Sequence, residues 1–144
     1  MLSKDIKYNI KINKKLIERK ETIIIFGNKK RLKLMKDKNI IKYFIYSTFK
    51  IITKIFQPNK LLTIATINYK ENKTILIGFV CFKYKDSLSY YNIFYYLNEI
   101  YNFNPDIIYS YYERAISYVI RKSSFFNNEI INVKYFFSFY KYYL

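Results

Sequence analysis

Ten acidic residues, one cysteine and no histidine stand against 26 lysines and arginines in a chain of 144 residues, and that inventory narrows what the side chains could do. Without histidine there is no Ser-His or Cys-His nucleophile pair, and no glycine-rich loop is present to cradle a nucleotide phosphate. The lone Cys81 lies in an apolar run, which excludes a disulfide framework or a Cys-based zinc cluster, fits a reducing compartment, and reads as a small buried hydrophobe. The acids scatter: Asp86 falls at a helix cap, Glu99 within a helix, Asp106 before a strand, Glu113 at a helix start and Glu129 where a strand begins. No carboxylate pair converges to hold a cation. What remains is lysine, and a net charge of +16 implies attraction to a polyanion such as nucleic acid or an anionic surface. Lysine heavily outnumbers arginine, which favours loose phosphate attraction over bidentate recognition.

A second cause competes for that charge. Ile, Lys, Asn, Tyr and Phe dominate the chain, and all are spelled by A- and T-rich codons. The attraction for phosphate exists whichever cause produced it. Lys14, Lys15, Arg19 and Lys20 cluster closely enough to touch phosphate within a basic N-terminal arm, residues 1–20, although a solvated helix face is the simpler use for them.

The elements that must position these groups follow from the apolar pattern. Hydrophobic residues at 51% and aromatics at 22% bury enough surface to offset ordering entropy, so residues 21–144 should fold as one domain. Residues 21–26 read as a strand closed by Gly27, and Asn28 as the cap of a helix over 29–38. Strands follow at 40–49, 61–68 and 74–83, the last two joined by a polar hairpin loop and so antiparallel. Asp86-Ser87 caps a helix to about 102, with Leu88, Tyr91, Phe94, Tyr95, Leu97 and Tyr101 on its apolar side. A strand over 106–111 parallel to the first core strand, a helix over 113–122 and a last strand over 129–137 complete the chain. The expected class is α/β: an RNase H-like mixed sheet in the order β-β-β-α-β-α-β, with a short N-terminal β-α extension.

Over residues 20–141 the chain resembles the core of a Mutator-like-element (MULE-type) transposase. The run Ile45-Tyr46-Ser47-Thr48-Phe49-Lys50 is similar to the family's Asp-Gly-Thr-Phe strand. Thr53-Lys54-Ile55-Phe56 and Lys60-Leu61-Leu62-Thr63-Ile64 resemble its Pro-x-x-Phe and Gln-Leu-Leu-Thr-Ile elements. Ser89 to Leu97 is similar to Ser-Tyr-x-x-Phe-x-x-Leu, and Tyr111-Tyr112-Glu113-Arg114-Ala115 matches part of Asp-x-Glu-x-Ala. The resemblance implies two aspartates on neighbouring strands sharing divalent Mg or Mn for phosphodiester attack. In this chain both positions are tyrosine, Tyr46 and Tyr111, and a neutral phenol does not replace a carboxylate on a hard cation. The family's Cys-x-x-His would fall at 135–138 and is absent, and a later catalytic Glu lies beyond the last residue. Glu113 survives by position as an acid at a helix start.

The expectation is therefore a degenerate, C-terminally truncated transposase relative without catalysis, metal or cofactor, binding DNA or RNA non-specifically. Its contacts would come from Lys42, Lys50, Lys54 and Lys60 near the former active face, together with the basic arm. Alternatives are a protein-interaction module that self-associates through the aromatic segment 135–144, and a decaying remnant with no selected role. No apolar run approaches a membrane span and the N-terminus lacks a hydrophobic signal region, so an intracellular protein of nucleus or cytoplasm is expected. Neither a membrane nor a small-molecule substrate is among its expected partners.

Overall fold

A computed structural model of the chain describes residues 2–48, 60–68, 70–71, 73–111, 114–126 and 130–135. Its elements are β1 (Leu2–Ile12), β2 (Lys15–Phe26), α1 (Lys29–Leu32), a 3-10 turn (Lys33–Lys36), β3 (Lys42–Thr48), β4 (Lys60–Asn68), β5 (Lys73–Phe82), α2 (Ser87–Tyr101), β6 (Ile107–Tyr111), α3 (Arg114–Lys122) and β7 (Ile131–Tyr135). The strands form one mixed seven-stranded sheet in the order β1-β2-β5-β4-β3-β6-β7. β3–β6 and β6–β7 pair in parallel and the other neighbours antiparallel. Parallel neighbours need crossovers, and α2 and α3 supply them between β5, β6 and β7.

The first twenty residues correct the expected basic arm: residues 2–20 form β1 and the first half of β2, paired from Leu2↔Ile25 to Ile12↔Lys15. Ile6, Tyr8 and Ile10 alternate with Asp5, Lys7 and Asn9, so partly buried and exposed positions follow the period of a strand. Lys7, Asn9 and Lys11 take outward positions, while Lys4 shares the partly buried row and sits over the Tyr96 ring. Asn13 and Lys14, both at positive φ (51° and 65°), make the two-residue turn whose twist suits a hairpin.

A second correction concerns the helix expected over 29–38, which is a single α turn followed by a 3-10 turn. Asn28 caps it as expected, its Oδ1 accepting from Lys30 N at 2.9 Å. With no acid in the first turn, and Lys29, Lys30 and Arg31 at the positive end of the dipole, little favours a longer helix. Both glycines of the chain meet beside it. A Cβ on Gly78 would lie 2.7 Å from Leu32 Cδ2, and one on Gly27, at φ +157°, would lie 3.1 Å from Gly78 Cα. Only glycine lets β2, β5 and α1 approach this closely.

The helices pack on one face of the sheet. Ile23, Ile25, Val80, Leu62, Ile64, Ile45 and Ile108 form one buried row, since partners across strands share a face. Against it pack Leu32 from α1, Tyr90, Ile93, Phe94 and Leu97 from α2, and Ile116, Val119 and Ile120 from α3. α2 is capped at Asp86, whose Oδ1 accepts from Ser89 N at 3.0 Å, and ends at left-handed Asn102. On the reverse face the half-buried rings pair, Phe26 on Phe79 at 5.2 Å and Phe44 on Tyr109 at 4.8 Å between centroids.

Candidate nucleic-acid interface

β3 and β6 lie side by side in parallel, with Ile45 opposite Ser110. Tyr46 and Tyr111, the next residue on each strand, therefore occupy neighbouring positions, as expected of the two strands that would present acids. No carboxylate occurs on either strand of the structure, and Asp106, the first residue of the strand read from the sequence, precedes β6. The nearby polar groups are hydroxyls already committed inward. Ser110 Oγ donates to Asn132 Oδ1 at 2.8 Å, Asn132 Nδ2 donates to Ser117 Oγ at 3.0 Å, and Ser47 Oγ lies 3.4 Å from the Tyr90 hydroxyl. Neutral hydroxyls and an amide are a poor donor set for Mg or Mn, so the residues here do not fit the metal pair of the resembled family. Among the described residues no group of three or more His, Cys, Asp or Glu is placed to hold a metal ion. Glu113, Lys50, Lys54 and residues 136–144 lie outside the described residues.

Of the four lysines assigned to the former active face, the two that are described, Lys42 and Lys60, lie at opposite ends of the strand pair β3–β4. Lys42 begins β3, while Lys60 lies beside the other end, because Thr48 pairs with Leu61. Six strand steps, about 20 Å, separate the two levels. Lys60 Nζ donates to the Lys83 carbonyl at 2.8 Å. The second group fares differently. Lys14, Lys15 and Lys20 are exposed on the β1–β2 ribbon, joined there by Lys7 and Lys11.

Arg19 departs from that group. Its guanidinium pairs with Asp86 Oδ2 at 2.5 Å, stacks over the Tyr84 ring at 4.0 Å, and leaves the side chain 11% exposed. Burial pulls its pKa down, but hydrogen bonds to Asp86 and Tyr8 outweigh that and raise it. Beside it, buried Glu21 accepts from the Tyr8 hydroxyl at 2.8 Å and from the Ser89 hydroxyl. Burial pushes the Tyr8 phenol up, with Glu21 adding to the shift. These contacts fasten the base of the ribbon to the start of α2, and Arg19 is a structural clasp.

Lys7 and Lys20 face each other directly across the ribbon on the side away from the clasp. They line a cleft of about 400 Å³ with Asp5, Ile6, Glu21, Thr22 and Lys83, in the opening where β2 leaves β5. Like charges opposite one another on a sheet destabilise it, and an anion between them relieves the repulsion.

No protein-family model, curated protein or solved structure matches the chain.

Lys7, Lys11 and Lys83 escaped sequence reasoning, as did Tyr8, Glu21 and Ser89. The alternation in 5–12, followed by Asn13-Lys14 as a turn, was the signal for the first two. Nothing local marks Glu21, because Tyr8 and Ser89 reach it from 13 and 68 residues away.

Proposed function

We propose that the chain binds nucleic acid non-specifically on an RNase H-like scaffold from which cleavage chemistry has been lost, as a degenerate relative of MULE-type transposases. The observation that carries this reading is a separation of charge. The two parallel strands expected to present acids carry tyrosines at 46 and 111, while exposed lysines gather on the β1–β2 ribbon, which β5 and β4 separate from those strands in the sheet. The order β5-β4-β3-β6-β7, with two antiparallel pairings followed by two parallel ones, supports the RNase H-like assignment. Lysine ammonium groups contact phosphate without reading base sequence, so affinity should depend on ionic strength and little on sequence.

The test titrates a labelled 20-base-pair duplex with the chain at several salt concentrations, with Mg and Mn present. Log affinity should fall linearly with log salt, and the duplex should stay intact. An affinity indifferent to salt removes phosphate contact as the cause of binding. Nicking that is lost in Glu113→Gln overturns the reading of positions 46 and 111.

A further inference from the structure

Resting on the nucleic-acid reading above, we propose that the distal β1–β2 ribbon, residues 9–18, is the docking element, entering a groove of duplex nucleic acid. The clasp made by Arg19, Asp86, Tyr8, Glu21 and Ser89 fixes the base of the ribbon to α2. β2 joins β5 only at Ile24–Phe26. Beyond the Tyr8↔Arg19 pair the two strands have, among the described residues, only each other as sheet partners, and they run on to the turn at Asn13-Lys14. At about 3.4 Å per residue that is a projection of roughly 15 Å.

Its composition is unusual for a solvated hairpin. Ile12, Leu16 and Ile17 are 45%, 65% and 44% exposed, among the largest exposures of apolar side chains in the described molecule. Lys11, Lys14 and Lys15 are interleaved with them and exposed as well. Apolar tips flanked by cations suit a partner that offers both phosphate and base edges: a two-stranded ribbon fits a major groove about 12 Å wide, where apolar side chains meet thymine methyl groups. Toward the base, Lys7 and Lys20 continue the basic track along one side.

An anionic membrane is the competing surface, and the arrangement disfavours it. A hairpin lying in a lipid interface gathers its apolar residues on one side and its cations on the other. Here Lys15 interrupts the face that carries Ile10, Ile12 and Ile17, and Leu16, the most exposed apolar side chain of the ribbon, sits on the opposite face with Lys7, Lys11 and Lys20, so the separation is incomplete.

The experiment uses the full chain, a 20-base-pair duplex, the matching single strand and phosphatidylserine-containing vesicles. Replacing Lys11, Lys14 and Lys15 together by Ala should lower the slope of log affinity against log salt by about 3, at roughly 0.9 per lost phosphate contact. Replacing Ile12, Leu16 and Ile17 together by Ser should weaken duplex binding about tenfold or more while leaving that slope unchanged, which corresponds to about 1.4 kcal/mol. The control set Lys29→Ala, Lys30→Ala and Arg31→Ala removes equal charge from α1 and should have the smaller effect. If the α1 set weakens binding as much as the ribbon set, the ribbon is not the docking element, although the nucleic-acid reading stands. Single-strand affinity equal to that for the duplex, or ribbon-dependent binding to vesicles in preference to the duplex, overturns groove entry. No salt-dependent binding to any nucleic acid removes the reading itself, and the docking assignment falls with it.

Discussion

The helix-covered half of the sheet and the β1–β2 ribbon are written in the same alphabet of isoleucine, lysine and tyrosine, yet they do opposite things with it. Under α2 and α3, Ile45, Ile64, Ile93 and Ile108 are sealed against one another and against Phe94. On the distal ribbon, isoleucines of the same kind face solvent. Residue type does not set these fates; what lies across from each residue does. A strand flanked on both sides and roofed by a helix buries its apolar row, whereas a ribbon flanked only by itself buries little. Stability should therefore reside in the covered half, and the capacity for contact in the ribbon.

The sharpest way to break this contrast is a pair of truncations. Phe94→Ala, in a fully buried site among Phe103 and Phe126, should cost about 3–5 kcal/mol in chemical denaturation. Leu16→Ala on the ribbon should stay within about 0.5 kcal/mol. Comparable losses at both sites would mean that the ribbon is packed against something, and the contrast would be lost.

Asp86→Ala comes next, because Asp86 belongs to both regions. It removes the α2 cap and the partner of Arg19, with an expected loss of about 1–2 kcal/mol. The ribbon should also loosen, read as faster trypsin cleavage after Lys11, Lys14 and Lys15. Destabilisation with unchanged cleavage would confine the role of Asp86 to the helix cap.

The smallest effect is one of pH. Tyr43 is buried, its hydroxyl has no partner among the described residues, and both it and Tyr8 are held above the ordinary phenol value of 10.0, chiefly by burial. As pH rises past about 10, the unfolded chain gives up these protons first. The stability tied to the neutral phenols is thus complete below that pH and declines above it. Tyr43→Phe should flatten the alkaline decline and raise stability at neutral pH by about 1 kcal/mol, since a buried hydroxyl without a partner is costly. A decline as steep as that of the parent would assign alkaline sensitivity elsewhere.

Much of the covered half was legible because its signals are local. Asp86 announced the start of α2, the polar loop between β4 and β5 announced their antiparallel pairing, and the apolar run after Pro105 announced β6. The ribbon was misread because charge obscured periodicity: Lys14, Lys15, Arg19 and Lys20 drew attention to composition, while Ile6, Tyr8 and Ile10 carried the period of a strand. The α1 helix was overextended because Leu32, Leu34 and Met35 suggest a stripe, whereas its run of cations works against the dipole. The clasp on Arg19 could not be read at all, since its partner is 67 residues distant and only the sheet brings the two together.

β1 is eleven residues long and forms one margin of the described sheet, so among the described residues a row of its peptide groups has no neighbouring strand. Outward lysines are the usual guard on such a margin, because two copies that approach along it meet repulsion before they can zip. A polyanion that neutralises Lys7 and Lys11 lifts this guard. Loading many copies onto one nucleic acid would then favour strand addition from chain to chain, visible as turbidity near charge balance that clears when excess nucleic acid spaces the copies apart.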